Sequence, residues 1–411
     1  MCSGLRLILS GRKARGLVKG EKYGMWRPLI VGLIALGFSA LRIFPSHLVM
    51  ADGHPDFSYY AYSFRHWSYS DVVALYGSRR LFLHQLPYVQ NVIEYPVLIG
   101  LYMSVMAHLP GFPGYFLGSL VGLSLGFFGA LWALRAGRGS AAWWFAATPM
   151  LTLYGLTNWD LLGIATWGMA VLAYERERWW TSGLWVGIGV ATKFFPIVLL
   201  PYLAFGLWRR RDSGHRRHLR QFLGAAALAG IIINLPFAIT GWRGWTEFFT
   251  FNSGRAPDPG LWARLVAIHW LRIADVNLLT LAITAAGGVL LLDAMRKERL
   301  NPVEAAGSAL AWWLLVNKVY SPQYMLWAYY AALWCRATPV KLVFMNIAGV
   351  CDFFLAMRWL ELGTTGSPFL APFVARIPGP VIALRDTALF WAAITWKRPV
   401  FLHNRTQARQ V

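Results

Sequence analysis

The sequence predicts an all-α polytopic membrane protein, and three observations lead to this fold class. Of the 411 residues, 57% are hydrophobic and only 14% are charged, which leaves too little polar surface to cover a soluble particle of this size. Apolar runs near the roughly 20 residues that a membrane-spanning helix needs recur along the chain. Short clusters of Lys and Arg separate these runs, as expected for loops retained on the cytoplasmic side of a membrane.

The excess of positive charge has the same explanation. The chain has 39 Lys and Arg against 18 Asp and Glu, a formal net charge of +21. Because the basic residues lie between apolar runs, the charge predicts contact with a membrane and no nucleic-acid partner. The three cysteines, Cys2, Cys335 and Cys351, have no metal-ligand spacing and imply no disulfide framework.

The first elements follow from this pattern. Residues 1–25 are a predicted basic cytoplasmic segment, and the apolar run 26–44 is a predicted uncleaved signal anchor. The polar stretch 45–94 is then the first extracytoplasmic loop. The next apolar run, 95–109, is only about 15 residues long, and a full crossing would move the following basic clusters to the outside. We therefore expect a short re-entrant or interfacial helix there.

The rest of the chain continues as one transmembrane domain, 26–396, with about 11 spanning helices. It has a second extracytoplasmic loop at 241–275, a basic cytoplasmic tail at 397–411, and no internal repeat strong enough to indicate an inverted-repeat transporter. The remaining apolar runs are 115–134, 141–157, 161–174, 180–191, 195–208, 221–240, 278–295, 305–316, 324–334, 340–354 and 381–396.

Polar residues on the predicted outer face indicate where function lies, and the first group follows the first helix. Asp52 and Asp56 are carboxylates beside aromatic residues, where a carboxylate can act as a general base on a hydroxyl. The alternative is a solvated loop acid, or an N-cap for a helix that begins near Phe57. Asp52, His54 and Asp160 could in principle bind a divalent metal, but His54 also fits an ordinary loop histidine, and no metal site is predicted.

Two further groups lie beside apolar runs. Glu94 and Tyr95 precede a proline, and the alternative to a site there is a simple turn before a short helix. Asn158 and Asp160 lie between two predicted spans, where a charged residue suggests a functional site. A helix cap is the competing explanation for this pair.

Two lysines complete the set of candidates. Lys193 lies within an apolar stretch, and Lys318 lies with Gln323 and Tyr324 between two spans. A lysine near membrane depth is costly unless it snorkels to the surface or pairs with an anion. Two lysines on the face predicted for Asp52 and Asp56 fit a site for a lipid-linked phosphate, and Arg65 in the first loop could add to this charge.

These residues carry a family resemblance. An acid after the first helix, E-Y-P before a short helix, A-T-K-F-F-P and K-V-Y-S-P-Q-Y-M-L-W together resemble glycosyltransferase family 87 of the glycosyltransferase C superfamily. The resemblance runs from about Asp52 to Trp327, and S-P-Q-Y-x-L-W with its preceding lysine is its most specific part. That family includes polyprenol-phosphate-mannose-dependent mannosyltransferases.

The resemblance implies a fold, a location and a mechanism. The fold is a glycosyltransferase-C-like helical bundle in the plasma (inner) membrane, with an extracytoplasmic active site. The donor is a polyprenyl-phosphate-linked sugar, mannose by analogy, with its phosphate near Lys193 and Lys318. Asp56 best matches the family's catalytic acid and would deprotonate the acceptor hydroxyl, inverting the sugar. The acceptor is a cell-envelope lipid or glycolipid, and no nucleotide is required.

Other activities remain open from the sequence alone. An arabinosyltransferase or a protein O-mannosyltransferase would share the loop acid and the type of donor. A lipid flippase or transporter would share the spans and the lysines, although the long first loop with its acids would then have no role.

Overall fold

The computed structural model describes residues 24–210 and 212–394, and within these ranges the chain is helical without β-strands. Two isolated bridges, Ala51 with His54 and Pro87 with Asn91, are the extended pairings in this part. The all-α prediction is confirmed. Of the predicted basic terminal segments, 1–23 and 397–411 lie outside the described residues.

Most helices form where the apolar runs of the sequence predict them. In chain order they are α1 (Trp26–Ile43), α2 (Phe57–Arg65), α3 (Asp71–Ser78), α4 (Val97–Ala107), α5 (Gly111–Arg138), α6 (Ala141–Ala146), α7 (Pro149–Tyr154), α8 (Asp160–Glu175), α9 (Trp179–Lys193), α10 (Leu199–Trp208), α11 (His215–Thr240), α12 (Trp242–Gly254), α13 (Leu261–Ala267), α14 (Ile273–Arg296), α15 (Pro302–Val316), α16 (Tyr324–Trp334), α17 (Pro339–Thr365), α18 (Ala371–Arg376) and α19 (Pro378–Ile394). Short 3-10 helices cover Phe44–Val49, Leu81–Leu83 and Phe195–Val198. Helices α2, α3, α12, α13 and α18 lie outside the predicted apolar runs.

The structure supports a membrane protein but not the number of spans. Among the described residues, five helical segments are long and apolar enough to cross a membrane: Trp26–Val49, α5, α11, α14 and α17. The predicted count of about 11 is not confirmed, because several predicted spans are short and the run 141–157 is broken into α6 and α7. Pro149 explains the break, since proline disfavours helical geometry in the preceding residue, and Thr148 instead caps α7 by accepting a hydrogen bond from the Met150 amide.

The short helix α16 lies inside the bundle, and the long helix α14 lies at its surface. In α16 every residue after Tyr324 is buried, and the 11 residues of this helix reach only about 16 Å at 1.5 Å per residue. In α14, by contrast, only four of 24 residues are buried. A helix that faces lipid must match a hydrocarbon layer of about 30 Å. An interior helix has no such requirement, which is why apolar runs that are too short to span are stable here.

The basic clusters predicted on one face gather at one end of the bundle. At the end of α5, the Arg138 guanidinium donates to the Glu175 carboxylate at 2.7 Å and to the Trp334 carbonyl oxygen at 2.7 Å. Arg210 Nη1 lies 2.9 Å from Glu177 Oε1. The ends of α5, α8, α10 and α16 therefore meet.

Both ends of helix α4 contact the part of the first loop that precedes it. Before α4, the Tyr88 hydroxyl lies 2.9 Å from the carbonyl oxygens of both Tyr95 and Pro96. At its end, the Ala107 carbonyl oxygen lies 3.0 Å from His84 Nε2. Whether α4 is re-entrant or interfacial stays a prediction.

The predicted second loop, 241–275, is largely helical and contains α12 and α13. Trp245, Phe248 and Phe249 give α12 an aromatic side, which a search for long apolar runs does not detect. At the start of α12, Gly241 and Gly244 pack directly against the Tyr88 carbonyl, where an added Cβ would overlap the carbonyl oxygen. The backbones of α12 and the loop around Tyr88 are thus in direct contact.

Candidate active site

A cavity of about 920 Å³ opens between the first loop, α12 and the helices α16, α17 and α19. Its lining is both polar and aromatic. One wall carries Asp71, Asn158 and Lys193, and another carries Arg255 and Lys318. The cavity thus brings together polar groups that are far apart in the sequence.

Asp71 is held at the start of α3 by its neighbours on both sides. Ser70 caps this helix, because its hydroxyl accepts a hydrogen bond from the Val72 amide at 3.1 Å. The same hydroxyl donates to the Leu156 carbonyl oxygen at 2.6 Å, and the Asp71 amide donates to the Thr157 carbonyl oxygen at 2.8 Å. The local Ser-Asp cap and the chain between α7 and α8 therefore fix where the Asp71 carboxylate lies.

The Asp71 carboxylate accepts three hydrogen bonds. The Tyr69 hydroxyl donates to Oδ1 at 2.8 Å, and the Tyr95 hydroxyl and the Asn158 amide donate to Oδ2 at 2.7 and 2.6 Å. Burial, and then the charge of Asp71, raise the pKa of Tyr69 well above its usual value, so this hydroxyl stays protonated and remains a donor. Oδ2 is occupied twice and Oδ1 once, which leaves Oδ1 the freer oxygen for a ligand.

Lys193 extends this network behind Asn158. Its ammonium donates to Asn158 Oδ1 at 2.7 Å and lies 3.1 Å from Asp160 Oδ1. It also lies 4.8 Å from the centre of the Tyr95 ring. The side chains of Lys193 and Asp160 are only 7% and 2% exposed. Lys193 is therefore already paired with a carboxylate, and it fixes the orientation of the amide that contacts Asp71.

Lys318 lies on the other wall in a different environment. Its ammonium donates to the Ser253 carbonyl oxygen at 2.8 Å, and within the described residues it forms no ion pair with a carboxylate. Nearby, Arg255 Nη2 lies 3.1 Å from Asp258 Oδ1, and the Tyr320 amide donates to Asp258 Oδ2 at 2.8 Å. Burial, and then the charge of Arg255, lower the pKa of Lys318. Burial also raises the pKa of Asp258, an effect that Arg255 opposes.

Three further residues predicted for the site also line the cavity. Glu94 lines the cavity and pairs with Arg79, whose Nη2 lies 2.8 Å from Glu94 Oε2. Gln323 and Tyr324 also line it.

The acids predicted nearest the first helix do not line this cavity. Asp56 caps α2, and its Oδ1 accepts a hydrogen bond from the Tyr59 amide at 3.1 Å. Asp52 and His54 lie in a turn closed by the bridge between Ala51 and His54, with Asp52 exposed. Asp56 thus takes the N-cap position that the sequence offers as the alternative.

Arg65, predicted near the phosphate, is also elsewhere. Its side chain is 64% exposed, and its Nε lies 3.3 Å from Glu361 Oε1. Asp160, one of the three conceivable metal ligands, pairs with Lys193. Within 24–210 and 212–394, no group of three or more His, Cys, Asp or Glu residues is placed to hold a metal ion.

The sequence alone missed Asp71, Arg255 and Asp258. A local signal exists for Asp71, since Ser70 followed by Asp71 and an apolar run has the pattern of a helix start. Arg255 and Asp258 have no such local pattern, and the Tyr320 amide that contacts Asp258 comes from a distant segment.

Comparison with known proteins relates this site to a family. A family model described as "Glycosyltransferase family 87" matches residues 93–357, more than half of the chain. Among curated proteins and among solved structures, no match to this chain is found. The matched segment includes Glu94, Asn158, Lys193 and Lys318, and it begins after Asp71.

Proposed function

The chain belongs to glycosyltransferase family 87, and from this premise we propose that it transfers a sugar from a polyprenyl-phosphate donor to a lipid-linked hydroxyl. In this proposal the sugar is mannose, the acceptor is a cell-envelope lipid or glycolipid, and the reaction takes place on the extracytoplasmic face of the plasma membrane. The observation that carries the proposal is one cavity with a hydrogen-bonded carboxylate on one wall and a lysine without a carboxylate partner on another.

Asp71 is the proposed general base in place of Asp56. The acceptor hydroxyl gives its proton to Oδ1 of Asp71, and its oxygen attacks the anomeric carbon of the donor. The bond from that carbon to the phosphate oxygen breaks, and polyprenyl phosphate leaves with the electron pair. A single displacement of this kind inverts the anomeric centre. Tyr95 and Asn158 hold the carboxylate in place, which lowers the entropic part of the barrier.

Lys318 and Arg255 are the proposed partners of the leaving phosphate. Lys318 has N–H groups to spare beyond its contact with Ser253. Negative charge grows on the phosphate as the bond breaks, and a fixed cation in a site with little water stabilises that charge most. Gln323 lines the same part of the cavity and can donate a further hydrogen bond. Lys193, by contrast, acts as a positioning residue for Asn158.

A lipid-linked donor also fits the apolar surfaces around the cavity. Phe248 and Phe249 line it, and they also line an adjoining cavity of about 260 Å³ whose walls include Val97 and Val190. An isoprenoid chain next to the phosphate would contact such a surface, whereas a nucleotide would not need it. We therefore favour a polyprenyl-phosphate sugar over a nucleotide sugar.

The deciding experiment measures transfer of radiolabelled sugar from polyprenyl-phosphate mannose to membrane lipid by purified protein. Asp71→Asn should lower kcat by about 100- to 10,000-fold, because it removes the base and keeps the shape. Asp56→Asn is the matched control and should keep most of the activity, since asparagine also caps helices well.

If activity were lost in folded Asp56→Asn and kept in Asp71→Asn, the general base would be Asp56. If mannose is not transferred while polyprenyl-phosphate arabinose is consumed, the sugar is wrong and the donor class stands. Product on protein rather than lipid would identify a protein O-mannosyltransferase. Movement of labelled lipid across the membrane without any product would indicate a flippase.

The proposed orientation has its own test. Single cysteines at Ser58 and Ser213, introduced after removal of the native cysteines, are treated with a membrane-impermeant thiol reagent. Only the cysteine at position 58 should react in intact cells. Reaction at position 213 alone would invert the topology.

A further inference from the structure

Besides Asp71, Glu94 and Asp258, a further carboxylate lines the cavity, and the mechanism above does not use it. Asp352 lies in α17, a helix long and apolar enough to cross a membrane, and it is 3% exposed. A buried carboxylate in such a helix is energetically unfavourable unless it has partners. Asp352 nevertheless lines the cavity, together with Arg385 of α19 and Tyr320.

The partners of Asp352 are incomplete. Its nearest cation is Arg385, and the distance from Arg385 Nη1 to Asp352 Oδ1 is 3.7 Å, longer than a hydrogen bond. Within the described residues, Asp352 Oδ2 has no hydrogen-bond partner. Arg385 makes closer contacts elsewhere: its Nε donates to Asp386 Oδ1 at 2.9 Å, and its guanidinium lies 4.4 Å from the centre of the Tyr320 ring.

A purely structural role does not explain the geometry of Asp352 and Arg385. An ion pair that only joined α17 to α19 would be stable when short and fully hydrogen-bonded, because burying charge is otherwise unfavourable. Here the carboxylate and the guanidinium are too far apart for a hydrogen bond, and both line the cavity. Such an arrangement is instead suited to a ligand that accepts from the guanidinium and donates to the carboxylate.

Hydroxyl groups on adjacent carbons of a sugar ring have this chemistry, since each hydroxyl both donates and accepts. The position of the pair indicates which sugar it meets. Tyr320 joins it to the proposed phosphate site, because its amide donates to Asp258 and its ring lies against Arg385. Asp258 in turn pairs with Arg255. The sugar next to the phosphate is the one that is transferred.

We propose that Asp352 and Arg385 form a subsite for two adjacent hydroxyl groups of the transferred sugar, and so decide which sugar is used. The inference rests on the proposed function, because the proposed phosphate site determines which sugar lies next to Asp352 and Arg385. It assigns Asp352 a role in sugar specificity that is separate from the base and from the phosphate contacts.

The test compares binding of two lipids to the purified full-length protein: polyprenyl-phosphate mannose and sugar-free polyprenyl phosphate. Asp352→Asn should weaken binding of the sugar-bearing lipid by about 10- to 100-fold, because it removes charged hydrogen-bond acceptors. Binding of the sugar-free lipid should not change. Asp386→Asn is the matched control, since Asp386 contacts the same arginine and does not line the cavity; it should alter neither affinity.

Equal weakening of both lipids, or no weakening of either, would overturn the proposal. Unchanged donor affinity with a raised KM for the acceptor would also overturn it and would assign the subsite to the acceptor. If Asp352→Asn fails to fold, wild-type protein with deoxy analogues of the donor sugar gives the same answer, since removing either of two adjacent hydroxyls should weaken binding.

Failure of the proposed donor class is distinguishable from failure of this inference. In that case the wild type would bind neither polyprenyl lipid. The subsite would then be measured with methyl glycosides at millimolar concentration, which should protect the wild type, but not Asp352→Asn, against thermal unfolding.

Discussion

Lys193 and Lys318 have similar positions in the sequence and different environments in the structure. Both stand at the end of an apolar helix, and both line the same cavity. Lys193 lies 3.1 Å from the Asp160 carboxylate, whereas the Lys318 ammonium donates to a carbonyl oxygen at 2.8 Å and pairs with no carboxylate in the described part of the chain. The role of each lysine therefore cannot be identified from its residue type and approximate depth. A lysine that is paired with a carboxylate of the protein positions its neighbours. A lysine without such a pair is available to an anionic ligand.

The strongest test of the contrast between the two lysines is removal of the Lys193 charge. Lys193→Met leaves the buried Asp160 carboxylate without its partner, and we expect a loss of about 3–5 kcal/mol in the free energy of unfolding. Asp160→Asn in the same chain removes the unpaired charge and should restore much of the stability. Activity should stay low in the double variant, because Asn158 has still lost its lysine. Thermal unfolding and sugar transfer measure the two effects separately.

If the single variant Lys193→Met were as stable as the wild type and lost only its affinity for polyprenyl phosphate, Lys193 would be a phosphate ligand. The contrast between the two lysines would then disappear.

Removing the Lys318 charge should give the complementary result. Lys318→Met leaves no carboxylate unpaired, so the free energy of unfolding should change little. The leaving phosphate would lose a cation, and kcat should fall by about 100- to 1,000-fold, as on removal of other groups that stabilise a developing anion. Transfer assays and thermal unfolding on the same preparation test this. Unfolding without a specific loss of kcat would make Lys318 a structural residue.

The pH dependence gives a smaller effect that separates Lys318 from an ordinary surface lysine. Its pKa is lowered from the usual 10.5, so on raising the pH it loses its proton earlier than an exposed lysine does. The affinity for polyprenyl phosphate should therefore fall as the pH rises through this lowered pKa. Lys318→Arg should move the fall to higher pH, because arginine keeps its charge there. An unchanged profile would exclude Lys318 as the titrating group.

The helical fold could be predicted largely from the sequence, because long apolar runs have few stable alternatives in lipid. Where the helices differ from the predicted outline, the causes are local: Pro149 divides the run 141–157 into α6 and α7, and the predicted second loop contains the aromatic helix α12. The number of crossings could not be derived from length, since the buried α16 is shorter than any spanning helix needs to be.

The site was predictable only in part. Both lysines, Asn158 and Glu94 could be selected because polar residues between spans are uncommon. The choice between Asp56 and Asp71 could not be made, since each stands at the start of a helix beside aromatic residues. What separates them is tertiary: Asn158, a partner of Asp71, is 87 residues away in the chain.

The contact of Gly241 and Gly244 with Tyr88 connects α12 directly to the first loop. Because glycine has no side chain, the backbones touch, and a movement of one backbone displaces the other. The Tyr88 hydroxyl holds the carbonyls of Tyr95 and Pro96, while α12 carries Phe248 and Phe249. We therefore expect the residues beside the Asp71 carboxylate and the aromatic wall to move as one rigid body, so that a lipid chain pressing on α12 also shifts the tyrosine that orients the base.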